Sequence, residues 1–307
     1  MLPPSGDQFE ISGGGYRAVV TESGGALRLL EHEGRPLLDG FGEDETSFGG
    51  RGQLLVPWPN RLRDGAYTFD GRDLQLPLTE PRLHNASHGL VRWVAWNREE
   101  HQDHSVSLTY RLMAQTGYPW TLDLRVVYDL SADGLTVTQS ATNLAGTAAP
   151  YASGAHPYLS VGPGPVDGWE LTLPASTRSL TDERSLPVGR EDVAGTPYDF
   201  RVARPIRDVA FDHAFTDLDR DADGVATVRL TDPAGGHGVA LWVDARHRWL
   251  QVFTADEAPG TARRSLAVEP MTARADAFRT GEDLLTLAPA GQDGDEVSAT
   301  WGVRALD

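Results

Sequence analysis

Two short segments carry the groups best suited to moving a proton. Ser265-Leu-Ala-Val-Glu269-Pro270-Met271-Thr272 delivers a carboxylate at the end of an apolar run. Desolvation there raises a carboxyl pKa toward the range of a general base. Pro270 is predicted to end the strand, so that Glu269 faces a loop or cleft; a solvated strand-end carboxylate is the other local reading. In Ser153-Gly-Ala-His156-Pro157-Tyr158-Leu159, the proline biases His156 toward an extended backbone. A restrained backbone orients an imidazole for proton transfer, while a hydrogen-bonded structural histidine would read the same way.

Three further segments offer contacts to a polar ligand. Gly50 to Arg61 ends in Val56-Pro-Trp58-Pro-Asn60-Arg61, where prolines flanking the tryptophan remove ladder donors and stiffen a loop. Trp58, Asn60 and Arg61 together present an aromatic face beside polar groups, which matches a sugar's C–H face and its ring of hydroxyls. His84-Asn-Ala-Ser-His88-Gly89 places a histidine before a glycine that permits close approach to a ligand. In Phe211-Asp212-His213-Ala-Phe215, Asp212 stands among aromatic residues, where burial is costly unless the acid is paired. A stiff surface loop, a packed loop histidine and a turn aspartate are the plainer readings of these three.

Composition removes several chemistries. The chain has no cysteine and no lysine, which excludes disulfides, thiolate metal sites, a cysteine nucleophile and Schiff-base catalysis. His84 and His88 have i, i+4 spacing, but Pro81 and Gly89 bracket them too closely for a helix to align them on a metal. The run Gly13-Gly14-Gly15 leads into the strand-like Tyr16–Val20 rather than a helix, so it does not cradle phosphate. A net charge of −17 opposes nucleic acid as a partner. No apolar run approaches the roughly 20 residues that span a bilayer, and the first ten residues lack the pattern of a signal peptide. The expectation is a cytoplasmic enzyme without metal or cofactor.

These groups need a rigid frame, and the periodicity that supplies it is two. Ser105–Leu112, Thr121–Tyr128, Gly134–Ala141, Trp169–Leu173, Val225–Leu230, Val239–Val243 and Glu296–Val303 alternate apolar and polar residues, as half-buried strands do. Turn-forming pairs such as Asp70-Gly71, Asp133-Gly134 and Asp223-Gly224 separate them, within a chain of 33 glycines and 20 prolines. A helical turn or two around Thr272–Ala277 is the most helix expected. Strands without intervening helices predict an all-β antiparallel sandwich, and 307 residues without a composition break predict one domain over 1–307.

Taken in order, an Asn-Arg loop, His-Gly followed by tryptophans, His-x-Tyr, Asp-His-x-Phe and Val-Glu-Pro-Met-Thr resemble the aldose 1-epimerase (galactose mutarotase) family from about Gly50 to Leu287. The resemblance implies a large antiparallel β-sandwich with an open cleft on one sheet. It further implies Glu269 as catalytic base and His156 as catalytic acid. Arg61, His88 and Asp212 match substrate-binding positions, with Trp58, Asn60 and Tyr158 beside them. The implied reaction interconverts the α and β anomers of a free hexose such as glucose or galactose, with base and acid on opposite sides of the pyranose. The family's galactose enzymes carry Asn-His-Thr-Tyr where this chain has Ala155-His-Pro-Tyr158, which leaves the sugar open. Two alternatives stay open: a hexose-6-phosphate 1-epimerase, with Arg51 or Arg63 on the phosphate, and a non-catalytic sugar-binding protein. The expected partner is a small sugar, with monomer and homodimer both compatible. A glycoside hydrolase would need two cooperating carboxylates, and only Glu269 has a motif around it.

Overall fold

Alternation sustained over eight to eleven residues becomes the long strands Ser105–Leu112, Leu122–Ser131, Gly134–Asn143 and Glu296–Leu306 of the computed structural model, which describes residues 2–306. Their antiparallel register sets Leu124, Val126 and Tyr128 beside Ala141, Val137, Trp301 and Val303, all buried. Burying one such large apolar side chain contributes about 1.5–3 kcal/mol. The opposite face carries Arg111 against Asp123 and Arg125 beside Glu99, all exposed.

These four strands belong to a nine-stranded sheet running from Arg204–Pro205 at one edge to Asn97–His101 at the other. A six-stranded sheet packs against it, in the order Tyr158–Leu159, Leu266–Met271, Trp249–Phe253, Asp212–Leu218, Ala175–Thr181 and Pro187–Asp192. A contiguous core joins the two, drawing Leu250, Val252, Leu266 and Val268 from the smaller sheet. A four-stranded meander, Gln8–Gly13 to Arg35–Pro36, adds Ile11, Ala18 and Leu30 to the same core. All strand pairs are antiparallel, and the architecture is the expected β-sandwich.

Leu266–Met271 departs from its expected form, because the strand runs through Pro270 instead of ending before it. The Pro270 carbonyl accepts from Ala155 N at 3.2 Å, on the edge away from Trp249–Phe253. Carbonyl and amide of one strand residue share an edge, so the missing N–H falls where pairing with Tyr158–Leu159 has already stopped. The proline therefore costs no ladder bond.

The one α-helix among the described residues is a single turn, Ala277–Thr280, slightly beyond the expected segment and closed by Gly281 in the left-handed region. Its Phe278 packs on Tyr67 and Trp58, with ring centroids 5.0 and 5.6 Å apart. No helix among the described residues is long and apolar enough to cross a membrane.

Candidate active site

Period-two geometry aims three polar side chains off the outer face of the six-stranded sheet. In Leu266–Met271, Leu266 and Val268 point into the core, so Glu269 points away from it. Gln251 stands opposite Glu269 in the register, and Asp212 lies one position diagonally beyond, opposite Phe253. Gln251 Nε2 donates to Asp212 Oδ1 at 2.6 Å, which ties the two strands together at the site.

Three loops bring the remaining groups over this face. The segment before His156 is pinned on both sides: Gly52 N donates to His156 O (2.9 Å), His156 N to Gln53 O (3.1 Å) and Ala155 N to Pro270 O (3.2 Å). The Asn60 and His88 loops lock each other, since His88 N donates to Asn60 O (2.9 Å) and Asn60 N donates to His88 Nδ1 (3.1 Å). With Nδ1 accepting, neutral His88 carries its hydrogen on Nε2, a donor for a ligand.

Gly89 lets that turn close. Its φ is +72°, and a Cβ there would lie 2.0 Å from the Val56 carbonyl oxygen. Gly89→Ala is expected to cost roughly 2 kcal/mol or more in stability. A urea midpoint equal to that of the wild type would contradict this.

Around these groups opens a cleft of about 930 Å³, with Asn60, Arg61, His88, His156, Asp212 and Glu269 on its wall. His156 Nε2 and Glu269 Oε1 lie 3.3 Å apart, and both side chains are almost fully buried. The base and acid were expected on opposite sides of a pyranose; they touch instead. Contact suits ring opening equally well, because the anomeric hydroxyl and the ring oxygen are both bonded to C1.

Burial dominates the electrostatics of the pair. It holds the Glu269 carboxyl well above the usual carboxylate range, with Asp212 adding to the shift and Arg61 opposing it. It lowers His156 to about 3, helped by the charges of Arg92 and Arg51. Burial favours the neutral form of both, so between those two limits the pair holds a single titratable proton, which resides on Glu269. Glu269 Oε2 is buried without a hydrogen-bond partner.

Arg61 forms a two-point ion pair with Glu80 (Nε–Oε2 2.9 Å, Nη2–Oε1 3.1 Å), which fixes its guanidinium at the cleft. Burial raises the Asp212 carboxyl, opposed by Arg61 and by the Gln251 bond. His88 is pushed well below the usual histidine range by burial, then by His156, Arg92 and Arg61.

The cleft thus collects Glu269, His156, Arg61, His88, Asp212, Asn60 and Tyr158. Trp58 is not among them. It is 3% exposed and packs on Phe278, because the stiff loop turns its ring into the core instead of toward solvent. The Tyr158 hydroxyl donates to Gly49 O at 2.8 Å. Arg63, one of the two residues considered for a phosphate, reaches Asp182 (3.1 Å) and Asp276. Gln251 escaped the sequence reading, although a lone amide inside the apolar strand Trp-Leu-Gln-Val-Phe was a signal for it.

A second depression, about 580 Å³ on the outer face of the nine-stranded sheet, is lined by the paired charges Arg111–Asp123 and Arg125–Glu99. No buried titratable group faces it.

Comparison with known proteins gives the family. The aldose 1-epimerase family model matches residues 7–295. The chain belongs to the aldose 1-epimerase family. It is 34% identical over 284 residues to the uncharacterized protein YihR of Escherichia coli (strain K12), covering 92% of this chain and 89% of that one. Among solved structures it superposes on the GalM/aldose epimerase homologue from C. elegans with a TM-score of 0.85 at 18% identity, covering 98% and 99% of the two chains. A putative aldose 1-epimerase from E. coli K12 gives 0.82 at 23% identity, covering 97% and 98%. These likenesses establish the galactose mutarotase-like fold.

Proposed function

We propose that this protein is a mutarotase that interconverts the α and β anomers of a free hexose, glucose or galactose being the first candidates. The observation that carries this reading is the buried contact between His156 and Glu269 on the wall of an open, polar cleft. Transfer of the pair's proton from Glu269 to His156 gives the ion-paired form, in which Glu269 takes the proton of the anomeric hydroxyl while His156 protonates the ring oxygen, and the C1–ring oxygen bond breaks. This leaves an aldehyde, a neutral imidazole and a protonated carboxyl. Rotation about C1–C2 presents the other face of the aldehyde. The same two transfers in reverse then close the ring and restore both side chains.

All four transfers are made by side chains, so the chemistry calls for no cofactor. Arg61 and Asp212 orient hydroxyls, and the His88 Nε2–H points at the ring oxygen without having to give up its proton. Each positioned acid or base contributes typically 10²–10⁴-fold. We further propose one domain over 1–307, acting in the cytoplasm on a small sugar.

Arg51 and Arg63, which a phosphate subsite would use, are already paired, to Asp39 and to Asp182 with Asp276. That favours an unphosphorylated sugar. A mere sugar binder has no use for an acid in contact with a base, which favours turnover.

Polarimetry of freshly dissolved α-glucose and α-galactose tests the reading. Decay of rotation faster than the spontaneous rate is the expected result. Decay at the spontaneous rate for both sugars and their 6-phosphates would favour the binding protein.

The shared proton also fixes a pH profile. Adding a second proton, which must go to His156, leaves no group free to accept from the anomeric hydroxyl, so activity falls as pH drops through about 3. Losing the single proton removes the acid, at a pH well above the usual carboxylate range. The kcat/KM profile is therefore expected to show its acid limb near pH 3 and to be flat above it until Glu269 loses its proton. An acid limb centred near 6.5, the ordinary histidine value, would contradict the shared-proton account.

A further inference from the structure

His156 lacks the orienting bond that a catalytic imidazole usually has. A histidine that moves protons through one ring nitrogen is commonly held by a hydrogen bond at the other. Here Nδ1 is buried and meets no hydrogen-bond partner on another residue. The ring is held by packing instead. The Tyr158 ring lies almost parallel to the imidazole, 4.9 Å between centroids and 10° between planes. The backbone of Gly50 closes on the imidazole edge, where a Cβ would come within 2.8 Å of Cδ2.

Tyr158 is itself held. Its hydroxyl donates to Gly49 O, and the Arg51 guanidinium stacks on its ring at 4.2 Å. Arg51 also stacks on Phe48 at 4.3 Å, giving a column of Phe48, Arg51, Tyr158 and His156. Arg51 is 2% exposed and anchored by Asp39 Oδ2 at 2.8 Å. Asp39 is fixed in turn by Arg264 (2.7 Å) and Ser265 Oγ (2.8 Å). Ser265 immediately precedes the strand that carries Glu269, so one network sets the acid and the base together.

We infer that Arg51 is a positioning residue for the catalytic acid: it clamps the Tyr158 ring, and through it the plane in which His156 meets Glu269. The inference rests on the mutarotase reading and extends it to a residue that need not touch the sugar. Arg51 is the member that Lys cannot replace, because an ammonium offers no planar face to two rings. Its charge has a separate effect. Glu269, His88 and Tyr158 surround the imidazole, and the cations Arg51, Arg92 and Arg61 all disfavour a charged ring. Lys preserves that contribution while losing the stack.

The test compares wild type, Arg51→Met and Arg51→Lys by polarimetry, with kcat and KM separated and the acid limb recorded. Side-chain ¹⁵N spectra of His156 are taken without sugar. Both variants are expected to lose on the order of 10- to 100-fold in kcat with KM nearly unchanged, as misplacement of a proton donor does. The acid limb is expected to move up in Arg51→Met and stay in Arg51→Lys. His156 is expected to show one tautomer in the wild type and averaged signals in both variants.

Wild-type kcat in Arg51→Lys, or a loss confined to KM, would overturn the inference. If Arg51→Met does not fold, Arg51→Lys decides alone by the same criteria. A wild type that accelerates no anomer exchange would count against the mutarotase reading and leave the positioning to be judged by the ¹⁵N signals. Identical His156 spectra in wild type and Arg51→Lys would then overturn it.

Discussion

Glu269→Gln is expected to lower kcat by about 10²–10⁴-fold while sugar still binds. The amide keeps the shape of the carboxyl beside His156, yet it cannot take the proton of the anomeric hydroxyl. Binding is expected to survive because Arg61, His88, Asp212 and Asn60 line the cleft independently of that proton. Stability is also expected to survive. Burial already holds Glu269 well above the usual carboxylate range, so the substitution removes a costly buried acid rather than a favourable charge. Calorimetric titration with the preferred hexose, thermal unfolding and polarimetry separate the three effects. Turnover near the wild-type rate would remove Glu269 from the mechanism.

His156→Asn is expected to cost a similar factor in kcat for the complementary reason, the loss of the proton donor to the ring oxygen. Its backbone bonds to Gly52 and Gln53 use no side-chain atom, so the loop is expected to hold its position. The His88 imidazole neighbours His156, with ring centroids 5.7 Å apart. Its Nδ1 is occupied by Asn60 N–H, and burial opposes a second proton on the ring, which suits it to donate a hydrogen bond rather than transfer a proton. An unaffected rate in His156→Asn, with a loss in His88→Asn instead, would exchange the two roles.

How much of this was legible in the sequence depended on how many faces a strand buries. Ser105–Leu112 and Gly134–Asn143 show one face to water, so their residues alternate and both strands were readable in place. Leu266–Met271 is buried on both faces, beneath the His156 loop on one and against the core on the other. Its composition therefore does not alternate, and only the motif around Glu269 marked it. Pro270 misled as a terminator because the edge on which its missing N–H falls is a property of pairing, not of sequence. Trp58 misled in the same way: prolines foretell a stiff loop but not which side of it meets Phe278.

The site was legible as residue types and not as distances. Glu269, His156, His88, Arg61 and Asp212 come from segments spread over more than 200 positions, and each had a plain structural explanation on its own. Their convergence on one cleft is a product of the sheet register, which pairs Gln251 with Glu269 and sets Asp212 diagonally beside them. That His156 and Glu269 touch rather than face each other across a ring was not foreseeable, since it depends on how the His156 loop is pinned between Gln53 and Pro270.

The most direct measurement is anomer exchange at equilibrium, followed by selective inversion of the α-anomer H1 resonance of a free hexose and of its methyl glycoside. Rapid transfer of inversion to the β-anomer of the free sugar is expected when protein is present. None is expected for the methyl glycoside, which has no anomeric hydroxyl proton for Glu269 to take. Exchange of the glycoside, or none for free glucose and galactose, would contradict acid–base ring opening by Glu269 and His156.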